Sequence, residues 1–156
     1  MILAVDPGLH GAFALMDEAS CEIRDMPTFV RKVGAKERAT LDDAGVVALV
    51  REFTIFGAAR LVIEQVNGVQ GQSAAAGFTF GYGVGVITTA ARMCGLEIER
   101  VPAQTWKKAL RCPSDKRASR ARASELMPLW SHLWPRAGHS DRAEAAMIGL
   151  WALRQS

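Results

Sequence analysis

Two short apolar runs in this chain each end in a carboxylate, and no other feature constrains the fold as strongly. Ile2-Leu3-Ala4-Val5 runs into Asp6, after which Pro7-Gly8 breaks the pattern, and Leu61-Val62-Ile63 runs into Glu64. A continuous apolar run bounded by turn formers reads as a strand buried on both faces. Aspartate is disfavoured in strands, and carboxylates are rarely buried without a partner. An acid ending such a strand either opens a turn, which Asp favours before Pro-Gly, or is kept for chemistry. For Asp6 alone both readings stand.

Residues 11–16 and 21–26 read as two further strands around a turn at 17–20, giving an antiparallel meander. Residues 27–40, polar with several Lys and Arg and with Gly34, read as a mobile loop. Thr40 is the expected N-cap of a helix over 41–56, with Asp42 and Asp43 in its first turn and Gly57 as its stop. A crossover helix favours parallel pairing of the strands on either side of it. Residues 72–93 read as a helix containing Gly77, Gly81, Gly83 and Gly85. Each glycine costs a helix about 1 kcal/mol relative to alanine. Such a helix is either bent or broken, or needs close approach to another helix, a partner subunit or a ligand. Residues 96–101 alternate like an edge strand. A short helix over 104–110, a basic helix over 115–126 capped by Ser114, a connector over 129–138 and a last helix over 141–153 complete the chain. This order implies a single α/β domain over 1–156, a mixed sheet flanked by helices.

There is no run of about 18 apolar residues, so no transmembrane helix is expected, and no basic region precedes the first apolar run as in a signal peptide. Cys21, Cys94 and Cys112 are scattered, which suits a reducing cytoplasm better than a disulfide framework or zinc site. The net charge of +3 is uneven: residues 100–136 hold nine Lys or Arg against Asp115 and Glu125, which leaves the rest at −4. A basic segment beside an acidic body suits a polyanion, most simply nucleic acid, or is a solvated helix face. Lys107, Lys108, Lys116, Arg117 and Arg120 within it are the candidate phosphate contacts. Trp106 either packs in the core or stacks on a base.

If the strands ending in Asp6 and Glu64 are parallel neighbours, both acids emerge at the carboxyl end of the sheet, where open α/β folds place their sites. Asp141 and Glu144, spaced i, i+3, share one face of the last helix, although they also fit a capping box. Four acids brought together repel and raise one another's pKa, which divalent cations relieve. Oxygen ligands suit Mg2+ or Mn2+, and two such ions serve phosphodiester hydrolysis.

The segments Ile-Leu-Ala-Val-Asp-Pro-Gly at 2–8, Val-Ile-Glu-Gln-Val at 62–66 and His-x-Asp-x-x-Glu-Ala at 139–145 together resemble the RuvC family of Holliday-junction resolvases, within the RNase H-like superfamily. The resemblance spans nearly the whole chain. It implies an RNase H-like mixed five-stranded sheet and a homodimeric endonuclease that nicks Holliday junctions, forks or other branched DNA with two Mg2+ (or Mn2+) ions. Asp6, Glu64, Asp141 and Glu144 are then the catalytic acids and metal ligands, and Lys107 or Lys108, with Lys116, lies near the scissile phosphate. The family's common form ends in aspartate where this chain has the longer Glu144. Thr-Trp-Lys-Lys at 105–108 and Ser-Asp-Lys-Arg at 114–117 look most like the phage-encoded branch. The family's junction-wedging aromatic follows Glu-Gln-Val; this chain has Asn67-Gly68 there, which leaves Phe78 or Tyr82 for the role. The helix over 74–91 is the candidate dimer interface, and His139 is either a proton shuttle or a surface residue.

Three other readings compete. An actin-like or sugar-kinase phosphate site also uses Asp-x-Gly but needs a second lobe. A non-catalytic branched-DNA binder would not need four acids. An RNase H acting on RNA–DNA hybrids is not separated by the basic segment.

Overall fold

The computed structural model describes residues 1–65 and 73–155, without the Val33 side chain. Among these the chain runs β1 (Ile2–Asp6), β2 (Ala12–Met16), β3 (Cys21–Asp25), β4 (Thr28–Val33), β5 (Lys36–Leu41), α1 (Asp43–Ile55), β6 (Arg60–Gln65), α2 (Ala74–Met93), β7 (Glu97–Pro102), α3 (Ala103–Ala109), α4 (Lys116–Leu126) and α5 (Ser140–Leu153), with 3₁₀ turns at Pro128–Leu133 and Ala137–His139. Five strands form a mixed sheet in the order β3-β2-β1-β6-β7. β1 is antiparallel to β2 and parallel to β6, and β6 is parallel to β7. The meander, the parallel crossovers and the exposed edge strand all follow the sequence pattern.

β1 is central and buried on both faces. Leu3 and Val5 pack with Phe13, Leu61 and Ile63 against Val46, Val50 and Phe53 of α1 and Ile87 and Ala91 of α2. Ile2 and Ala4 face the other way, with Ala12, Ala14 and Val62, under Ala145, Ile148 and Ala152 of α5. The small residues on both sides let α5 lie close to the sheet. A Cβ added to Gly149 would stand 2.5 Å from Met16 Sδ and 3.3 Å from the Ala4 Cβ.

Several expectations are corrected. The expected loop over 27–40 is instead a two-stranded hairpin, β4 paired with β5 from Thr28↔Leu41 to Val33↔Lys36. A two-residue Gly34-Ala35 connection closes it, with Gly34 at φ +64°, as a first-position glycine in a tight hairpin turn requires. Dense charge and the lack of a clean apolar/polar alternation hid these strands. Thr40 therefore lies in β5, and the N-cap of α1 is Asp42, whose side chain accepts from the Gly45 amide at 3.0 Å. Asp115 rather than Ser114 caps α4, accepting from the Ala118 amide at 2.9 Å. The connector is largely 3₁₀ turns. α2 is one unbroken helix over Ala74–Met93, capped by Ser73, and the expected start at Gln72 lies outside the described residues. Its 20 residues are long and apolar enough in composition to cross a membrane, although glycine and threonine interleave the apolar residues so that no uninterrupted apolar run marks it. From Gly83 onward it buries Gly83, Ile87, Thr88, Ala90 and Ala91 in this domain. All three cysteines are free.

The turn after β1 has no room for a side chain at Gly11. Its amide donates to the Gly8 carbonyl at 2.8 Å, and a Cβ there would collide with the Asp6 carbonyl oxygen. Gly11→Ala is therefore expected to destabilise the protein by about 2 kcal/mol or more, because backbone must move to relieve the clash. A lowered urea midpoint with an unchanged slope would show it.

Candidate metal centre

Val5 pairs with Ile63 across parallel strands, so Asp6 and Glu64 leave the sheet level with one another. Alternation along a strand puts Asp6 on the face of Ile2 and Ala4, and Glu64 on the face of Val62. That is the face α5 covers. α5 starts at Ser140, which places Asp141 and Glu144 in its first turn and a half, three residues apart on one side. The result is a cluster: Asp6, Asp141 and Glu144 each present a carboxylate oxygen within 4.8 Å of the others. Glu64 stands beside this trio rather than within it, close enough for its charge to act on Asp6. The capping-box reading of Asp141 and Glu144 does not hold. His139 occupies the N-cap position without a capping bond, and both acids turn to other elements.

Each acid is held by a neighbour. Asp6 Oδ1 accepts a long bond from the Gly8 amide at 3.5 Å. The buried Trp106 donates its indole N–H to Glu64 Oε2 at 2.9 Å. Lys116, at the start of α4, donates to Asp141 Oδ1 at 2.7 Å. Glu144, buried at 8% exposure, accepts on Oε1 from Lys107 Nζ at 3.3 Å and from the buried Ser119 hydroxyl at 3.0 Å. A bidentate pair between Arg142 and Asp25 of β3, at 2.5 Å on each arm, pins the start of α5 over the sheet.

The electrostatics record the crowding. Burial, then the charges of Asp141, Glu64 and Glu144, push Asp6 up to about 7, and the Gly8 amide offsets only part of this. Burial also raises Glu64, against the indole bond and the Lys107 charge. Lys116 is raised by its bond to Asp141 and by the acids around it, so it stays protonated. The donor set fits a hard divalent cation: the trio offers only oxygens, and Asp6 carries repulsion that the two lysines do not remove.

The four acids and Lys107 and Lys116 thus converge. Lys108 and Arg117 are exposed and form no ion pair among the described residues. Arg120 instead donates to the Trp134 and Pro135 carbonyls, at 3.1 and 3.5 Å, and ties α4 to the following turn. The charged groups acting on His139 are Arg142, Arg136, Asp25 and Arg120 rather than the acid cluster. Sequence reasoning missed Ser119 and the Glu64 bond of Trp106. The i, i+3 spacing of Lys116 and Ser119 on α4, which gives them one face, was the available signal.

A carboxylate pKa raised by folding means that the folded chain keeps a proton between about pH 4 and 7 that the unfolded chain has released. Stability then falls as pH rises through that window. In EDTA at pH 8, Asp6→Asn should be more stable than wild type by up to about 4 kcal/mol, at about 1.4 kcal/mol per pKa unit, and should flatten the pH dependence between 4 and 7. Added Mg2+ should raise the melting temperature of wild type more than that of the variant.

The sequence matches no protein-family model and no curated protein. Solved structures match over nearly its whole length. T. thermophilus RuvC in complex with a Holliday junction substrate aligns with a TM-score of 0.63 at 14% identity, covering 99% of this chain and 96% of that one. A further Thermus thermophilus RuvC structure aligns with a TM-score of 0.57 at 17% identity, covering 99% and 95%. At these identities the likeness establishes the fold: the mixed five-stranded sheet flanked by helices is the RNase H-like fold of RuvC.

Proposed function

We propose that this chain is a RuvC-family, divalent-metal-dependent endonuclease that nicks Holliday junctions and other branched DNA. The observation that carries the reading is the convergence of Asp6, Asp141 and Glu144 within 4.8 Å at the carboxyl edge of an RNase H-like sheet, with Glu64 beside them. Asp6, Asp141 and Glu144 would hold one Mg2+ or Mn2+, and Asp6 with Glu64 a second. Bound there, two such ions supply a nucleophile at neutral pH and neutralise the leaving oxygen in phosphodiester hydrolysis. Trp106 and Ser119 fix the orientation of Glu64 and Glu144 through the bonds given above. Lys116, 66% exposed at its side chain, is free to swing from Asp141 to a phosphate once a cation takes that carboxylate, and Lys107 likewise from Glu144. Lys108 and Arg117 extend the positive surface along the backbone of the nucleic acid.

A two-fold dimer would place two such sites on opposed strands of a four-way junction. Gly77, Gly81 and Gly85 support α2 as its interface. They repeat every four residues on one helix face, and a Cβ at any of them would meet nothing within 4 Å among the described residues. Glycines that cost helix stability yet pack against nothing among the described residues suit close approach by a second copy. Exposed Phe78 is the better placed wedge, since the Tyr82 hydroxyl is bonded to Asp43; Asn67-Gly68 lies outside the described residues. Free thiols suit a reducing cytoplasm.

Labelled four-way junction, fork, duplex and RNA–DNA hybrid, each with Mg2+ or EDTA, test the activity. The junction should be cut only with metal, and Asp6→Asn should cut it roughly a hundredfold more slowly or worse, the cost of losing several kcal/mol of metal-borne stabilisation. Cleavage of the hybrid alone would establish an RNase H instead, and junction binding without any cleavage would establish a non-catalytic binder. Gly81→Leu should convert a dimer to monomer by light scattering; a wild-type monomer, even with junction DNA, would remove α2 as an interface.

A further inference from the structure

The β4–β5 hairpin lies outside the five-stranded sheet and serves none of the roles above. It carries Arg31, Lys32, Lys36 and Arg38 against one acid, Glu37. Lys32 stands opposite Glu37, but Arg31 stands directly opposite Arg38. Directly paired residues share one face of an antiparallel ribbon with Cβ atoms about 5 Å apart, and like charges there are destabilising. Both arginines are exposed, and neither side chain has an ion pair or hydrogen bond among the described residues. Two guanidinium forks held side by side, neither bonded to an acid among the described residues, suit an extended anion with more than one phosphate.

The surroundings of Arg38 indicate which anion. With Ser73 and Thr79 of the exposed end of α2, it lines a cleft of about 450 Å³ whose far wall is Pro7, Leu9 and His10, the turn that follows Asp6. A neighbouring groove continues past Arg38 to Arg31 and Phe29; its two acids, Asp42 and Asp43, are bonded to the Gly45 amide and the Tyr82 hydroxyl rather than to the arginines. The carboxylates face α5 on one side of the sheet, and the cleft opens on the α1/α2 side at the same carboxyl edge. A strand held at the carboxylates has only to pass over the Pro7–His10 turn to reach the arginines. The hairpin, six residues per strand and so about 20 Å long, reaches over several nucleotides. We propose that the β4–β5 hairpin is a phosphate clamp, in which Arg31 and Arg38 grip the DNA arm that leaves the carboxylate site. The proposal rests on the nuclease reading given above. Continuity with a site read as acting on phosphodiesters favours nucleic acid over an acidic peptide.

Fluorescence anisotropy with a labelled four-way junction in Ca2+, from 50 to 200 mM salt, tests it. Each phosphate neutralised by the protein adds about 0.9 to the steepness with which log affinity falls against log salt. The Arg31→Ala/Arg38→Ala variant should therefore bind more weakly, with a slope shallower by about 2. Its drop in affinity across that salt range should be smaller than that of wild type by about tenfold. Arg31→Lys/Arg38→Lys should restore the slope. A wild-type slope in the alanine variant overturns the clamp and leaves the nuclease reading standing. So does an alanine variant that loses binding to labelled polyglutamate but not to the junction, since the partner is then an acidic peptide. A wild-type protein that binds no branched DNA overturns both readings.

Discussion

The close seating of α5 on β1 is the constraint on which the rest of the molecule depends. Ala4, Ala12 and Ala14 on the sheet meet Ala145, Ala152 and Gly149 on the helix, and only side chains this small allow the first turns of α5 to reach the carboxyl end of β1. Larger residues would lift the helix away, because a packed core cannot absorb added volume without moving backbone. The Arg142–Asp25 pair sets the near end of the same helix. Packing far from the acids therefore brings Asp141 and Glu144 to Asp6.

That arrangement works against stability. Three carboxylates share a small space, Asp6 is driven to about 7, and Lys107, Lys116 and Ser119 compensate only in part. Lysine compensates without closing the site. An ammonium on a flexible stem can leave when a cation or a phosphate arrives, whereas an arginine–carboxylate pair such as Arg142–Asp25 is rigid and serves architecture. The two kinds of ion pair divide accordingly: arginine where α5 is pinned to the sheet, lysine at the acid cluster. The Glu144 carboxylate is set within reach of both Ser119 and Lys107 on two different helices, which fixes its long side chain.

Much of this was legible along the chain. Apolar runs ended by Asp6 and Glu64, the crossover helix and the alternating edge strand prescribe the sheet, since burial on both faces leaves few other ways to read them. The hairpin was not legible, because Arg31, Lys32 and Arg38 raise the polarity of residues 27–40 to that of a loop, and only the pairing of β4 with β5 shows that they lie in strands. Helix caps slipped by one or two residues, from Thr40 to Asp42 and from Ser114 to Asp115. Neighbouring Ser, Thr and Asp all satisfy the chemistry of a cap, and the backbone direction chooses among them. Helix phase turns Arg120 onto the Trp134 and Pro135 carbonyls, a contact that spacing within the basic segment does not show.

By itself the sequence determined on which elements the candidate residues ride: two acids at strand ends, two on one helix face, and a basic segment between them. Those are local properties, set by the periods of strand and helix. Only the tertiary structure decided that Glu64 stands beside the trio rather than in it, that Ser119 and Trp106 hold two of the acids, and that Arg31 faces Arg38 near the turn after Asp6. Distances between residues remote in sequence follow from strand register and helix seating, and these depend on the packing of the whole core rather than on any local pattern.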